Sequence, residues 1–92
     1  MMTAVEANVK TREKLTQIAK EFIINYAVPS IDKAIAEGKF FAKPSFEGVI
    51  NPEQTGNEVV KLLQEQGFEA GHVYYDGPNG YENHILIKWE DA

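Results

Sequence analysis

The stretch Phe68-Glu69-Ala70-Gly71-His72-Val73-Tyr74-Tyr75-Asp76-Gly77-Pro78-Asn79-Gly80-Tyr81-Glu82-Asn83-His84-Ile85-Leu86-Ile87-Lys88-Trp89-Glu90 reads as two β-strands around a turn. Asp76-Gly77-Pro78-Asn79-Gly80 is a dense run of turn formers, so it divides a strand 68–75 from a strand 81–90. The second strand alternates most clearly. Tyr81, Asn83, Ile85, Ile87 and Trp89 share one face, and Glu82, His84, Leu86, Lys88 and Glu90 share the other. It holds neither Pro nor Gly, which suits a central position in a sheet.

Upstream, the spacing changes from two to about 3.6 residues. Leu15, Ile18, Ala19, Phe22 and Tyr26 line one face of a helix predicted over 4–27, while residues 1–10 lack that stripe and are expected to fray or extend from the core. Pro29 predicts a break or kink at Val28. Ile31, Ala34 and Ile35 restart the period in a shifted phase, as a second helix over 30–37 that Gly38 ends. Residues 39–50 read as an edge strand, because Pro44 cannot donate to a ladder, with neither face marked as the inner one.

A third helix has two possible starts, Asn51-Pro52-Glu53-Gln54 and Thr55-Gly56-Asn57-Glu58. Its firm part runs from about Asn57 to Gln66 with Val59, Leu62, Leu63 and Gln66 buried, and Gly67 ends it. The elements thus run helix-helix-strand-helix-strand-strand. They predict a single α+β domain over 1–92, with the N-terminal helices packed on one face of a small three-stranded sheet and the last strand central. The opposite sheet face is then expected to show His84, Leu86 and Lys88, joined by His72 and Tyr74 of the neighbouring strand. Either the N-terminal segment, a ligand or a second subunit would cover it.

Composition narrows function by exclusion. Ninety-two residues, 43% hydrophobic and 25% charged, fit one folded domain. The absence of cysteine removes disulfides, thiolate metal sites and a cysteine nucleophile. A net charge of −5 argues against general nucleic-acid binding or an anionic membrane surface. Residues 44–92 carry Lys61 and Lys88 against nine acids, which points to basic partners or to a solvated surface. With no signal-peptide pattern and no apolar run near the ~20 residues of a membrane span, an intracellular, cytoplasmic protein is expected.

Candidate chemistry gathers at the hairpin. A five-residue loop sets Tyr75 opposite Tyr81 and His72 opposite His84. Two facing imidazoles could then share a metal with Glu82, act as a pH-sensitive pair, or be plain surface histidines. Asp76, Asn79 and Asn83 offer hydrogen bonds while Tyr74, Tyr75 and Tyr81 offer flat stacking surfaces. The ligand or partner site is therefore placed on His72, Tyr74, Tyr75, Asp76, Asn79, Tyr81, Asn83 and His84. No phosphate-binding or dinucleotide fingerprint occurs, and neither Ser30 nor Ser45 sits in a nucleophile elbow. Lys10, Arg12, Lys14 and Lys20 of the first helix could touch phosphates, but a single arginine and the interleaved Glu13 and Glu21 favour a solvated face. Neither catalysis, a cofactor nor a bound metal is expected.

Three segments carry a resemblance: Ile31-Asp32-Lys33-Ala34-Ile35-Ala36-Glu37-Gly38-Lys39-Phe40, Val60-Lys61-Leu62-Leu63 leading to Gly67-Phe68, and Ile85-Leu86-Ile87-Lys88-Trp89. Over roughly residues 31–89 the chain resembles small accessory proteins encoded by bacteriophages and prophages. That resemblance implies binding and neutralising a host factor or signalling molecule, or a place in the virion, and it carries no catalytic residue. The expectation is a non-enzymatic, homo-oligomeric binding protein that antagonises host defence by sequestering a nucleotide-like ligand or masking a host protein. The alternative is a virion structural or assembly component.

Overall fold

The computed structural model describes residues 1–49 and 52–92. Its elements are α1 (Ala4–Phe22), a π-helical turn (Ile23–Ala27), α2 (Val28–Ala36), β1 (Phe41–Ala42), α3 (Pro52–Glu65), β2 (Glu69–Gly77) and β3 (Gly80–Lys88). The strands form one antiparallel sheet in the order β1-β3-β2, so the last strand is central. Helices cover one face of it, and the α+β architecture expected from the sequence is the one observed. None of the helices among the described residues is long and apolar enough to cross a membrane.

The break expected at Pro29 is absent; α1, the π turn and α2 run on as one helix. Val28 keeps right-handed helical angles despite preceding proline, and its N–H reaches back five residues to the Ile23 carbonyl. This wider turn resolves the conflict. Proline has no N–H, and its ring collides with the carbonyl four residues earlier; a π turn displaces that carbonyl. The same insertion moves the apolar stripe by one residue. Phe22 and Ala27 are buried five positions apart, while Tyr26 is 61% exposed, contrary to its expected place on the stripe. Downstream, Ile31 is half-buried and Ala34 buried, but Ile35 is exposed. At the other end, the Thr3 hydroxyl caps α1 by accepting the Glu6 N–H at 3.1 Å. Helix therefore begins at Ala4, yet every residue up to Lys14 is exposed, so this arm projects beyond the core.

α3 is continuous from Pro52, longer than its expected firm part; the Asn51 cap lies outside the described residues. Its inner face is Thr55, Gly56, Val59 and Leu63, with Leu62 half-buried and Gln66 exposed instead of buried. Gly67, at φ +91°, ends it. Phe68 N–H bonds back to the Leu63 carbonyl at 3.2 Å and Gly67 N–H to that of Gln64 at 3.0 Å, the pairing that only a left-handed residue allows.

The strand expected over 39–50 shortens to Phe41–Ala42 plus an isolated bridge between Ser45 and His84; Ile50 lies outside the described residues. The register is nevertheless constant along this edge, since Phe41 faces Lys88, Ala42 faces Ile87 and Ser45 faces His84. Pro44 explains the gap. Its carbonyl accepts the Ile85 N–H at 3.1 Å, but it has no N–H to return. The inner face is now determined: Ala42, Pro44 and Phe46 are buried.

Phe46, Val59, Ile85 and Ile87 are fully buried and form the centre of the core with Ala19, Phe22, Ala27 and Leu63. Phe22 and Phe46 meet edge to face at 4.8 Å, and Phe68 meets Trp89 likewise at 6.1 Å. The π turn makes a prediction about which neighbour tolerates change. Ala27→Leu overfills the core and is expected to cost about 1–3 kcal/mol, while Tyr26→Ala loses only an exposed ring contact with Phe22. Thermal unfolding should drop by at least about 4–8 °C for Ala27→Leu and by less for Tyr26→Ala. An unbroken α-helix would reverse that order.

Candidate functional site

The hairpin turn is shorter than expected, and this relocates the candidate residues. β2 and β3 pair from Glu69–Lys88 to Gly77–Gly80, leaving only Pro78 and Asn79 between them. Glycine makes this possible: Gly80 stands at φ +141°, two residues after Pro78, whose ring holds φ near −65° and so forbids the usual primed hairpin turns. Tyr75 therefore faces Glu82, not Tyr81, and His72 faces Ile85, not His84. Directly opposed residues lie on one face, so His72 and Tyr74 belong to the helix side with Ile85 and Asn83. His84 faces Val73 on the uncovered side. The imidazole pair expected across the strands does not form, and the metal or proton-sensing reading built on it goes with it. Among the described residues no three His, Cys, Asp or Glu side chains converge as a metal site.

Four of the eight candidates meet on the helix side. Asn83 is 8% exposed and its amide joins three segments. The Nδ2 group donates to the Phe46 carbonyl at 3.3 Å and to the Tyr81 hydroxyl at 3.2 Å. Since a carbonyl only accepts, Nδ2 must face Phe46 and Oδ1 must face His72. The 2.7 Å contact between Oδ1 and His72 Nε2 then requires Nε2 to carry the proton and donate. The imidazole also packs edge to face on Phe46 at 5.0 Å. Its Nδ1 edge lies against α3, where a Cβ added to Gly56 would stand 2.5 Å away. Tyr74 continues the row, 6.4 Å from His72 and 5.9 Å from Tyr81 between ring centres. Asp76 faces Tyr81 at the exposed end of the same row, and Asn79 is exposed in the turn.

Tyr75 and His84 occupy the other face. There the Tyr75 phenol folds over Gly77, so a Cβ at Gly77 would collide with its hydroxyl. Around them the uncovered face presents Val73, Leu86 and Phe41, none of them assigned to the site from the sequence. Phe41 is 43% and Tyr75 44% exposed. This face ends in a groove of about 680 Å³ lined by Phe41, Leu86, Trp89, Glu69, Glu90 and Asp91 among others. Lys43 and Lys88 also border it, Lys43 with its ammonium 5.6 Å from the Phe41 ring centre. The signal for this face was present in Gly77 and Gly80, two glycines spaced to close a two-residue turn, with alternation then assigning every other position.

No family model matches the chain, and neither a curated protein nor a solved structure matches it.

The geometry assigns His72 and Asn83 to holding the hairpin against α3 and the Phe46 segment, and Gly56 to admitting the imidazole. In an ordinary helix interior Gly→Ala stabilises by about 0.4–1 kcal/mol. Gly56→Ala should instead destabilise by about 1–3 kcal/mol, because the methyl displaces His72 from Asn83. Denaturant unfolding of this variant gives the sign directly. A gain in stability would show that His72 is not wedged there.

Proposed function

We propose that the chain is a non-enzymatic binding protein of the phage accessory type, which antagonises host defence by masking a host protein. It works in the host cytoplasm as a homo-oligomer, and its binding surface is the uncovered face of the sheet. The observation that carries this reading is one-sided layering. Every helix lies on the Ile85 side, while Phe41, Val73, Tyr75 and Leu86 stand on the other with no element of the described chain across them.

The chemistry of this face favours a protein over a nucleotide. Sequestering a small ligand needs convergent polar groups in a concave site, and the hairpin residues diverge onto two faces. Phosphate groups need local cations, whereas Asp76 and Glu82 are the charges of the turn. At the groove, Glu69, Glu90 and Asp91 outnumber Lys43 and Lys88 beside Phe41 and Trp89, which suits a Lys- or Arg-bearing segment through carboxylate contacts and ring faces. His72 Nε2 is engaged with Asn83.

Native mass spectrometry after co-purification from an infected bacterial host tests the proposal. Wild type is expected to retain one host protein in fixed stoichiometry. Leu86→Glu, a change on the uncovered face, should weaken retention by about tenfold or more with the circular dichroism unchanged. Tyr81→Ala, on the helix side, should not. Equal retention by Leu86→Glu, release of a nucleotide instead of a protein, or open-ended assembly as in a virion part would each overturn it.

A further inference from the structure

The sheet ends in two edges, and they are built differently. β1 is two residues long, interrupted by Pro44 and flanked by Lys39 and Lys43, the devices by which edges are kept from pairing. β2 is nine residues long, pairs with β3 without a bulge, and contains neither Pro nor Lys. Its outer edge is long, regular and unprotected.

The hydrogen bonds show which of its backbone groups point outward. Ile85 N–H donates to the Pro44 carbonyl and Phe46 N–H to that of Asn83, so the odd-numbered residues of β3 turn their main chain toward β1. The even ones therefore face β2, where they meet Gly71, Val73 and Tyr75. Ala70, His72, Tyr74 and Asp76 are left pointing away from the sheet. Ala70 is already engaged, because its carbonyl accepts from the Gln64 side chain at 3.5 Å. No backbone partner on the outer side is described for His72, Tyr74 or Asp76.

We propose that this free edge pairs with the same edge of a second copy, antiparallel about a two-fold axis at Tyr74, giving a continuous six-stranded sheet. The proposal deepens the self-association read above by naming the surface that carries it. Three free outward residues centred on Tyr74 define the register: His72 faces Asp76 of the second copy, and Tyr74 faces its own counterpart. On the uncovered side Val73 comes opposite Tyr75 of the second copy, an aliphatic–aromatic pair, and no two like charges oppose each other. Centring the axis on Val73 instead would bring Asp76 against the already occupied Ala70. Because the axis is perpendicular to the sheet, both uncovered faces lie on one side and form a single surface of doubled width.

Size-exclusion chromatography with light scattering, together with amide exchange resolved along β2, tests this. Wild type should have twice the 10.3 kDa mass of one chain. In it the His72, Tyr74 and Asp76 amides should exchange about tenfold or more slowly than after dilution to the monomer. Gly71, Val73 and Tyr75 amides should be protected in both states. Tyr74→Pro removes an outward N–H and exposed ring contacts with His72 and Tyr81 but no ladder bond to β3, so the fold tolerates it while the dimer is lost. If wild type is monomeric, self-association itself is wrong. A dimer whose His72, Tyr74 and Asp76 amides exchange freely leaves self-association standing and overturns the edge pairing. Should Tyr74→Pro fail to fold, the exchange pattern of wild type decides alone.

Discussion

The amide of Asn83 sits where three segments meet, and the rest of the structure follows from how it is satisfied. A nearly buried amide left without partners costs about 1–3 kcal/mol, so its surroundings are constrained. Here the Phe46 carbonyl, the Tyr81 hydroxyl and His72 Nε2 provide the partners, while the Asn83 main-chain carbonyl accepts the Phe46 N–H at 2.9 Å. One residue thereby fixes the register of β2 on β3 and the course of residues 40–46 beside it. A slip by a single position would turn the amide to the uncovered side and bury Glu82 or His84 in its place.

From this registration the two faces acquire separate roles. The helix side spends its polar groups on itself, with His72 wedged between Asn83, Phe46 and the bare backbone of Gly56. The other side keeps Phe41, Tyr75, Leu86 and the charged groove available. The proposed masking of a partner needs such a surface more than it needs reactive groups, and an unprotected edge strand offers a route to widen it. The exposed arm of α1, up to Lys14, adds little to the core; just beyond it the Thr16 hydroxyl meets Glu58 of α3 at 3.0 Å.

Much of the architecture was legible because the residues signal it redundantly. Alternation from Asn83 to Ile87 marks the central strand, Gly38 and Gly67 mark helix ends, and Pro44 marks an edge. The π turn was legible only as a phase shift between Phe22 and Ile31. Proline is ordinarily read as a break, and nothing local says that a helix will absorb it by widening. The candidate site was half legible. The eight candidates fall on two faces of the hairpin and in its turn, because counting the turn as five residues overlooks that Gly77 and Gly80 can stay in the ladder. That miscount moved His72 and Tyr74 to the wrong face and paired two histidines that lie on opposite sides. Leu86 was legible on the uncovered face from alternation alone, whereas Phe41 and Val73 were not, since their place there depends on the register and not on their own chemistry.

Strand register is thus the central claim, and a nuclear Overhauser spectrum of Hα protons measures it most directly. In an antiparallel sheet the opposed residues that exchange no hydrogen bonds bring their Cα atoms to about 4.5 Å, which yields strong Hα–Hα cross-peaks. The structure requires those peaks between His72 and Ile85 and between Tyr74 and Asn83. Cross-peaks joining His72 to His84 would contradict it, and the division between a self-satisfied helix side and an available outer face would fall with them.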